Sequence, residues 1–193
     1  MTSLSRSRSA LLNAVANQVG WFACVLGAAA GWGAAGAAVA LALVLLHLVF
    51  ASRPEVEWPL VLVAGGLGLV IDTLHADFGV LEFKGHEAGA VAPLWIFALW
   101  VQFATTLRFC MSWLSRRYVL ASMFGLIGGP LAFLGGERLG AATFGEPRFW
   151  SLAVVAASWS VALPLLVAVS DRMGEGGRYR LSFSTRSAEP HHL

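Results

Sequence analysis

The sequence predicts an all-α, polytopic membrane protein: a bundle of six transmembrane helices with its N- and C-termini in the cytoplasm. The chain has 193 residues, of which 58% are hydrophobic and only 12% charged. That is about half the charge of a soluble domain. Apolar stretches long enough to cross a bilayer recur almost to the end, and the basic residues collect at alternate ends of them. Such a chain needs no large water-excluding core. It needs its backbone bonded within helices and those helices packed together.

The expected spans follow in order. The first runs from Leu11 to about Ala30 and the second from about Trp32 to Ala51, joined by a tight turn at Gly31–Gly33. As a single helix the stretch would be about 40 residues, too long for one crossing of a core about 30 Å thick at 1.5 Å per residue. The chain must therefore double back. The third span runs from Leu60 to about Phe78, the fourth from Ala92 to Leu114, the fifth from Val119 to about Gly136, and the sixth from Phe149 to Ser170. The start resembles a signal peptide, with Arg6 and Arg8 ahead of an apolar run. The apolar character then continues, as it would after an uncleaved first span. The division is a cytoplasmic segment 1–10, a membrane domain 11–170 and a mobile cytoplasmic tail 171–193. His191 and His192 read as tail residues rather than ligands.

Orientation follows from Lys and Arg. With the N-terminus inside, Arg6, Arg8, Arg53, Arg116, Arg117, Arg172, Arg178, Arg180 and Arg186 lie in cytoplasmic segments, against Lys84, Arg138 and Arg148 outside. Gly27/Gly31 and Gly125/Gly129 have the four-residue spacing that lets membrane helices approach closely. Pro130 and Pro164 each remove a backbone hydrogen bond, so kinks are expected. Trp58, Trp95, Trp113 and Trp150 fall near span ends, where indoles anchor at the headgroups.

Several function classes drop out. No basic run interleaved with aromatics suggests a nucleic-acid surface. The two cysteines, Cys24 and Cys110, sit in apolar stretches and lack metal-ligand spacing. No H-E-x-x-H, G-x-S-x-G or glycine-rich phosphate loop appears. No catalytic residue, metal or cofactor is assigned, and the reading leans away from an enzyme.

Depth sorts the remaining polar residues into two layers. The outer one holds Asp72, His75 and Asp77 of "IDTLHADF", then Glu82, His86 and Glu87, joined by Glu137 and Arg138. Asp72 and His75 are three apart and share a helix face. Asp72 lies about 18 Å along the third span, where an ionisable group is costly and a functional candidate by default. It can form a proton-handling carboxylate–imidazole pair with His75, or hold a cation or a headgroup. A divalent metal on His75, Asp77, His86 and Glu87 is a weaker reading, because the spacing matches no ligand signature. The plainest is that Asp72 bonds a neighbouring helix while the others are wet. The inner layer holds Asn13, Asn17, Gln18, His47, Gln102, Thr105, Thr106 and Arg108. It reads as interhelical hydrogen bonds around a snorkelling Arg108, or as a lipid-headgroup site. Candidate substrate or proton sites are thus Asp72, His75, Glu137, Asn17, His47, Gln102 and Arg108.

The order "NQVGWFACVLGAA", "LHLVFASRPEVEWPL", "GLVIDTLHADFGVLEF", "PLWIFALWVQFATTL" and "GGPLAFLGGERLGA" resembles an uncharacterised family of small bacterial inner-membrane proteins, a domain of unknown function. The resemblance spans roughly Asn17 to Ala142. It implies topology and an inner-membrane location rather than a mechanism. Genes of that family often lie beside cyclopropane-fatty-acid-synthase-like methyltransferases and other lipid-modifying enzymes. Arg108 departs from it, since a smaller polar residue such as Asn is expected after "TTL".

Together these readings give an accessory protein of membrane-lipid modification or membrane stress response. Its partners are membrane lipids, lipid-modifying enzymes or a second copy of the chain. The alternative is a small proton-coupled transporter or lipid carrier that uses Asp72 and His75.

Overall fold

Where a chain meets lipid, only internally bonded backbone is stable, so helices dominate. The computed structural model describes residues 3–51, 53–87 and 89–186; His191 and His192 lie outside the described residues. Its elements are α1 (Ser3–Ala29), α2 (Gly33–Phe50), α3 (Pro54–Asp77), β1 (Leu81–Phe83), α4 (Leu94–Ala104), α5 (Tyr118–Arg138), β2 (Ala142–Phe144) and α6 (Arg148–Arg186). Five stretches are long and apolar enough to cross a membrane: Ser9–Ala29, Gly33–Phe50, Pro54–Asp77, Tyr118–Arg138 and Arg148–Gly174. The protein is a multi-pass membrane protein by that measure.

The fourth expected span, Ala92–Leu114, is not one helix. α4 has 11 residues, about half of what a crossing needs. Past Ala104 the backbone tightens: Thr105 N–H bonds the Gln102 carbonyl at 3.1 Å and Thr106 N–H bonds Phe103 at 2.9 Å. Both threonine hydroxyls donate to the same two carbonyls, at 2.8 and 2.6 Å. Side chains that bond the backbone in this way compete with the helix. A run of turns and a 3₁₀ turn at Ser112–Leu114 follow. Irregular backbone at such depth is tolerated where protein covers it, and Ala104, Thr105, Thr106 and Leu107 are all buried.

Helix packing is set by glycines. α1 and α2 form the expected hairpin, turning at Gly31 with φ of 80°. Gly27 meets Gly36 of α2: a methyl at Gly27 would lie 3.3 Å from the Gly36 Cα. At Gly36 a methyl would collide with the Ala23 carbonyl. Gly125 and Gly129 of α5 both lie against Trp159 of α6, close enough that a methyl at either would overlap it. α4 packs against α1, α2 and α3, while α6 joins α3 to α5.

The sequence reading contained no strands. β1 and β2 pair antiparallel, Leu81 opposite Phe144 and Phe83 opposite Ala142. These four side chains are buried, while Glu82 and Thr143 face out. The ribbon ties the C-terminal end of α3 to that of α5.

Candidate binding pocket and its buried polar network

A pocket of about 440 Å³ lies between α1 and α5. Trp21 and Val25 of α1 form one wall, and Gly125, Gly128, Gly129 and Gly136 of α5 the other. Trp95, Ile96, Leu99, Trp100 and Phe103 of α4 and Trp159 of α6 form its floor. Ligand pockets of 300–1,000 Å³ are usually apolar with a few placed polar groups. Here the polar groups are Asn17, Gln18 and Asp72.

Asp72 is fully buried and its carboxylate is engaged on both oxygens. Trp100 Nε1 donates to Oδ2 at 2.6 Å, and His75 Nδ1 lies 3.1 Å from Oδ1. His75 Nε2 lies 3.0 Å from Ser158 Oγ, which itself bonds the Val154 carbonyl at 2.9 Å. A carbonyl only accepts, so the single Ser158 proton goes to Val154 and Ser158 must accept from His75 Nε2–H. The Nδ1 position then decides the state of the pair: aspartate with imidazolium, or carboxylic acid with neutral imidazole. Both are neutral overall, which suits a carboxyl group at this depth. The network links α3, α4 and α6. It places Trp100 over Gly68, where an added methyl would strike the indole, and both Trp100 and Asp72 line the pocket. Trp100 in turn stacks on Trp159, with ring centres 4.6 Å apart and planes at 16°.

The inner polar residues divide among three groups. Gln102 Nε2 donates to the Ala16 carbonyl at 2.9 Å, and Asn13 Nδ2 to that of Thr105 at 3.2 Å; both pin α1 to α4. Asn17 stands apart from these bonds and lines the pocket. His47 and Arg108 meet through a residue absent from the sequence reading, Glu57. Arg108 Nε donates to Glu57 Oε1 at 3.0 Å, and His47 Nε2 lies 3.7 Å from Oε2. Arg108 also reaches the Ser170 carbonyl at 3.3 Å. Glu57 sits three residues after Pro54 at the start of α3, on the same face as buried Leu60 and Ala64. That periodicity is the signal that it points inward.

Glu137 is far from this chemistry in role. It accepts from the two terminal guanidinium nitrogens of Arg148 and from Phe144 N–H, clamping α5 to β2 and α6. Trp95, expected as an interfacial anchor, is 4% exposed and donates to the Lys84 carbonyl at 3.0 Å. The metal reading has no ligand set: among the described residues no three His, Cys, Asp or Glu side chains converge, and His86 Nε2 contacts the Ala90 carbonyl instead.

No curated protein and no solved structure matches the chain. A family match extends over residues 10–165, thus from α1 into the first half of α6, with the ribbon and the pocket: the chain belongs to the family described as a protein of unknown function, DUF2878.

Proposed function

We propose that this protein holds a lipid-derived molecule in the pocket between α1 and α5, as an accessory to membrane-lipid modification in a bacterial inner membrane. One observation carries the reading: an apolar, tryptophan-floored pocket between two membrane helices, which pack mainly on other partners. A molecule already dissolved in the bilayer can enter such a site sideways. The bonded Asp72–His75 pair supports a scaffold role for those residues, because each carboxylate oxygen already has a protein partner. The resemblance to proteins encoded near lipid-modifying enzymes supports the lipid side. In this reading the helix α4 and the turns after it complete a sixth traverse, and both termini are cytoplasmic.

Two measurements test the proposal. Native mass spectrometry of the protein in mild detergent is expected to find a retained membrane-derived molecule. A strain lacking the gene is expected to show an altered lipid profile under oxidative stress. Protein free of ligand together with an unchanged profile overturns the reading. Flux by the purified protein that vanishes in Asp72→Asn would replace it with proton-coupled transport.

A further inference from the structure

The pocket has a direction. Asn17, Phe103 and Phe124 mark one end, and Val25, Trp95, Gly136 and Ala142 the other. From Phe124 to Gly136 along α5 is about 18 Å at 1.5 Å per residue. That is close to the depth of one leaflet's chains, half of a hydrocarbon core about 30 Å thick. Along this length the α5 wall alternates glycines with Phe124, Leu131, Ala132 and Phe133. Gly136 is buried, yet a methyl there would meet nothing within 4 Å, and the same open space faces Gly128. A buried glycine facing emptiness borders a void rather than a packed neighbour. At the far wall Trp21 closes on Gly135, where a methyl would lie 3.3 Å from its ring.

The polar groups at the Asn17 end are uncharged. Asn17 and Gln18 offer amides, and Trp159 brings an indole N–H that is buried and has no partner among the described residues. A buried donor without an acceptor is costly, and a ligand carbonyl relieves it. The one carboxylate of the lining, Asp72, already accepts from Trp100 and pairs with His75, a pair that is neutral overall. A charged head therefore finds no counter-charge inside.

From this we infer that the pocket takes a single acyl chain as its ester. The chain lies along the glycine wall of α5 toward Trp95 and Gly136, and the ester carbonyl lies at Trp159 Nε1 and Asn17. The inference rests on the proposed lipid-binding role and specifies the ligand class. The shared chemistry is an acyl ester, whose source is either a membrane phospholipid or a free single-chain ester.

Brominated chains quench tryptophan on contact, which gives the test. In a full-length variant with Trp32, Trp58, Trp113 and Trp150 changed to Phe, the remaining indoles all line the pocket. Titration with dibromostearate methyl ester, or reconstitution with dibromo-phosphatidylcholine at rising mole fraction, is expected to quench them saturably. Whichever ester does so is the source. Gly136→Leu is expected to abolish the saturable part, and Gly128→Phe is a second plug should the first fail to fold. Trp159→Phe is expected to weaken the methyl ester about five-fold, one hydrogen bond's worth, and to leave a dibrominated hydrocarbon of equal length unchanged. Quenching that never saturates, or that ignores both plugs, overturns the inference. If native mass spectrometry then finds a retained molecule without an acyl chain, only the ligand class has failed. If it finds none, the proposed function has failed as well.

Discussion

Asp72 shows how one residue can be ionisable, buried and structural at once. Its two bonds have different characters: Trp100 only donates to it, whereas His75 Nδ1 either donates or accepts. An asparagine fits both, with its oxygen accepting from Trp100 and its amide donating to neutral His75. Asp72→Asn is thus expected to keep thermal stability within about 1 kcal/mol. Asp72→Ala strands the Trp100 N–H and a histidine nitrogen in the interior, and should cost about 1–3 kcal/mol for each group left unbonded. Thermal unfolding of both variants in the same detergent decides this. If Asp72→Asn is as damaging as Asp72→Ala, the neutral-pair account is wrong. The pairing of Asp72 with His75 is legible in the sequence because three-residue spacing fixes a shared helix face. Trp100 and Ser158 are not legible, since they arrive from other helices through packing that no local pattern encodes. Glu57 is hidden differently. An acid in the first turn of a helix is ordinary and favoured by the helix dipole, so its inward direction shows only when Leu60 and Ala64 are counted with it.

At the level of whole elements, glycines of the same helix do opposite things. Gly125 lets the Trp159 backbone approach so closely that a methyl would overlap its carbonyl, while Gly128 faces open space. Gly125→Ala is expected to loosen the α5–α6 pair and lower the unfolding temperature. Gly128→Ala should be neutral or stabilising, by up to about 1 kcal/mol, since alanine is the better helix former. Equal effects in a side-by-side unfolding series would count against the packing described. The long helices are legible because twenty apolar residues in lipid have little choice of structure. α4 is not, because hydropathy runs on through Thr105 and Thr106 whereas the helix ends where their hydroxyls turn back on the backbone. β1 and β2 are invisible for another reason. Three residues each carry too little periodicity, and their pairing joins positions far apart in the chain.

For the whole molecule, the ends of the elements fix which residues share a side. The ribbon brings the Asp77 end of α3 to the Arg138 end of α5. At the other end Asp171 accepts from Ser115 and Tyr118, and Arg53 reaches the Gly174 carbonyl at 3.4 Å. With the arginine bias, the proposed orientation puts the Arg53–Asp171 end in the cytoplasm. In a background with Cys24 and Cys110 replaced, a cysteine at Glu82 is expected to react with an impermeant maleimide in intact cells. A cysteine at Ser3 or Glu175 should react only after lysis. The reverse pattern would invert the topology and leave the fold untouched.

The brevity of α4 also bears on how the protein comes to exist. The apolar run that contains α4 is cut at Arg108, short of the about 20 residues of a crossing, so its own hydropathy favours the bilayer less than that of the other helices. A slot already formed by protein would favour its seating during synthesis. That slot is built from α1, α2 and α3, all made earlier, with Glu57 and His47 already in place to receive the arginine. Biogenesis therefore depends on order along the chain. On this account a fault in the first three helices, on which α4 packs, is expected to be felt first as a failure to seat the fourth.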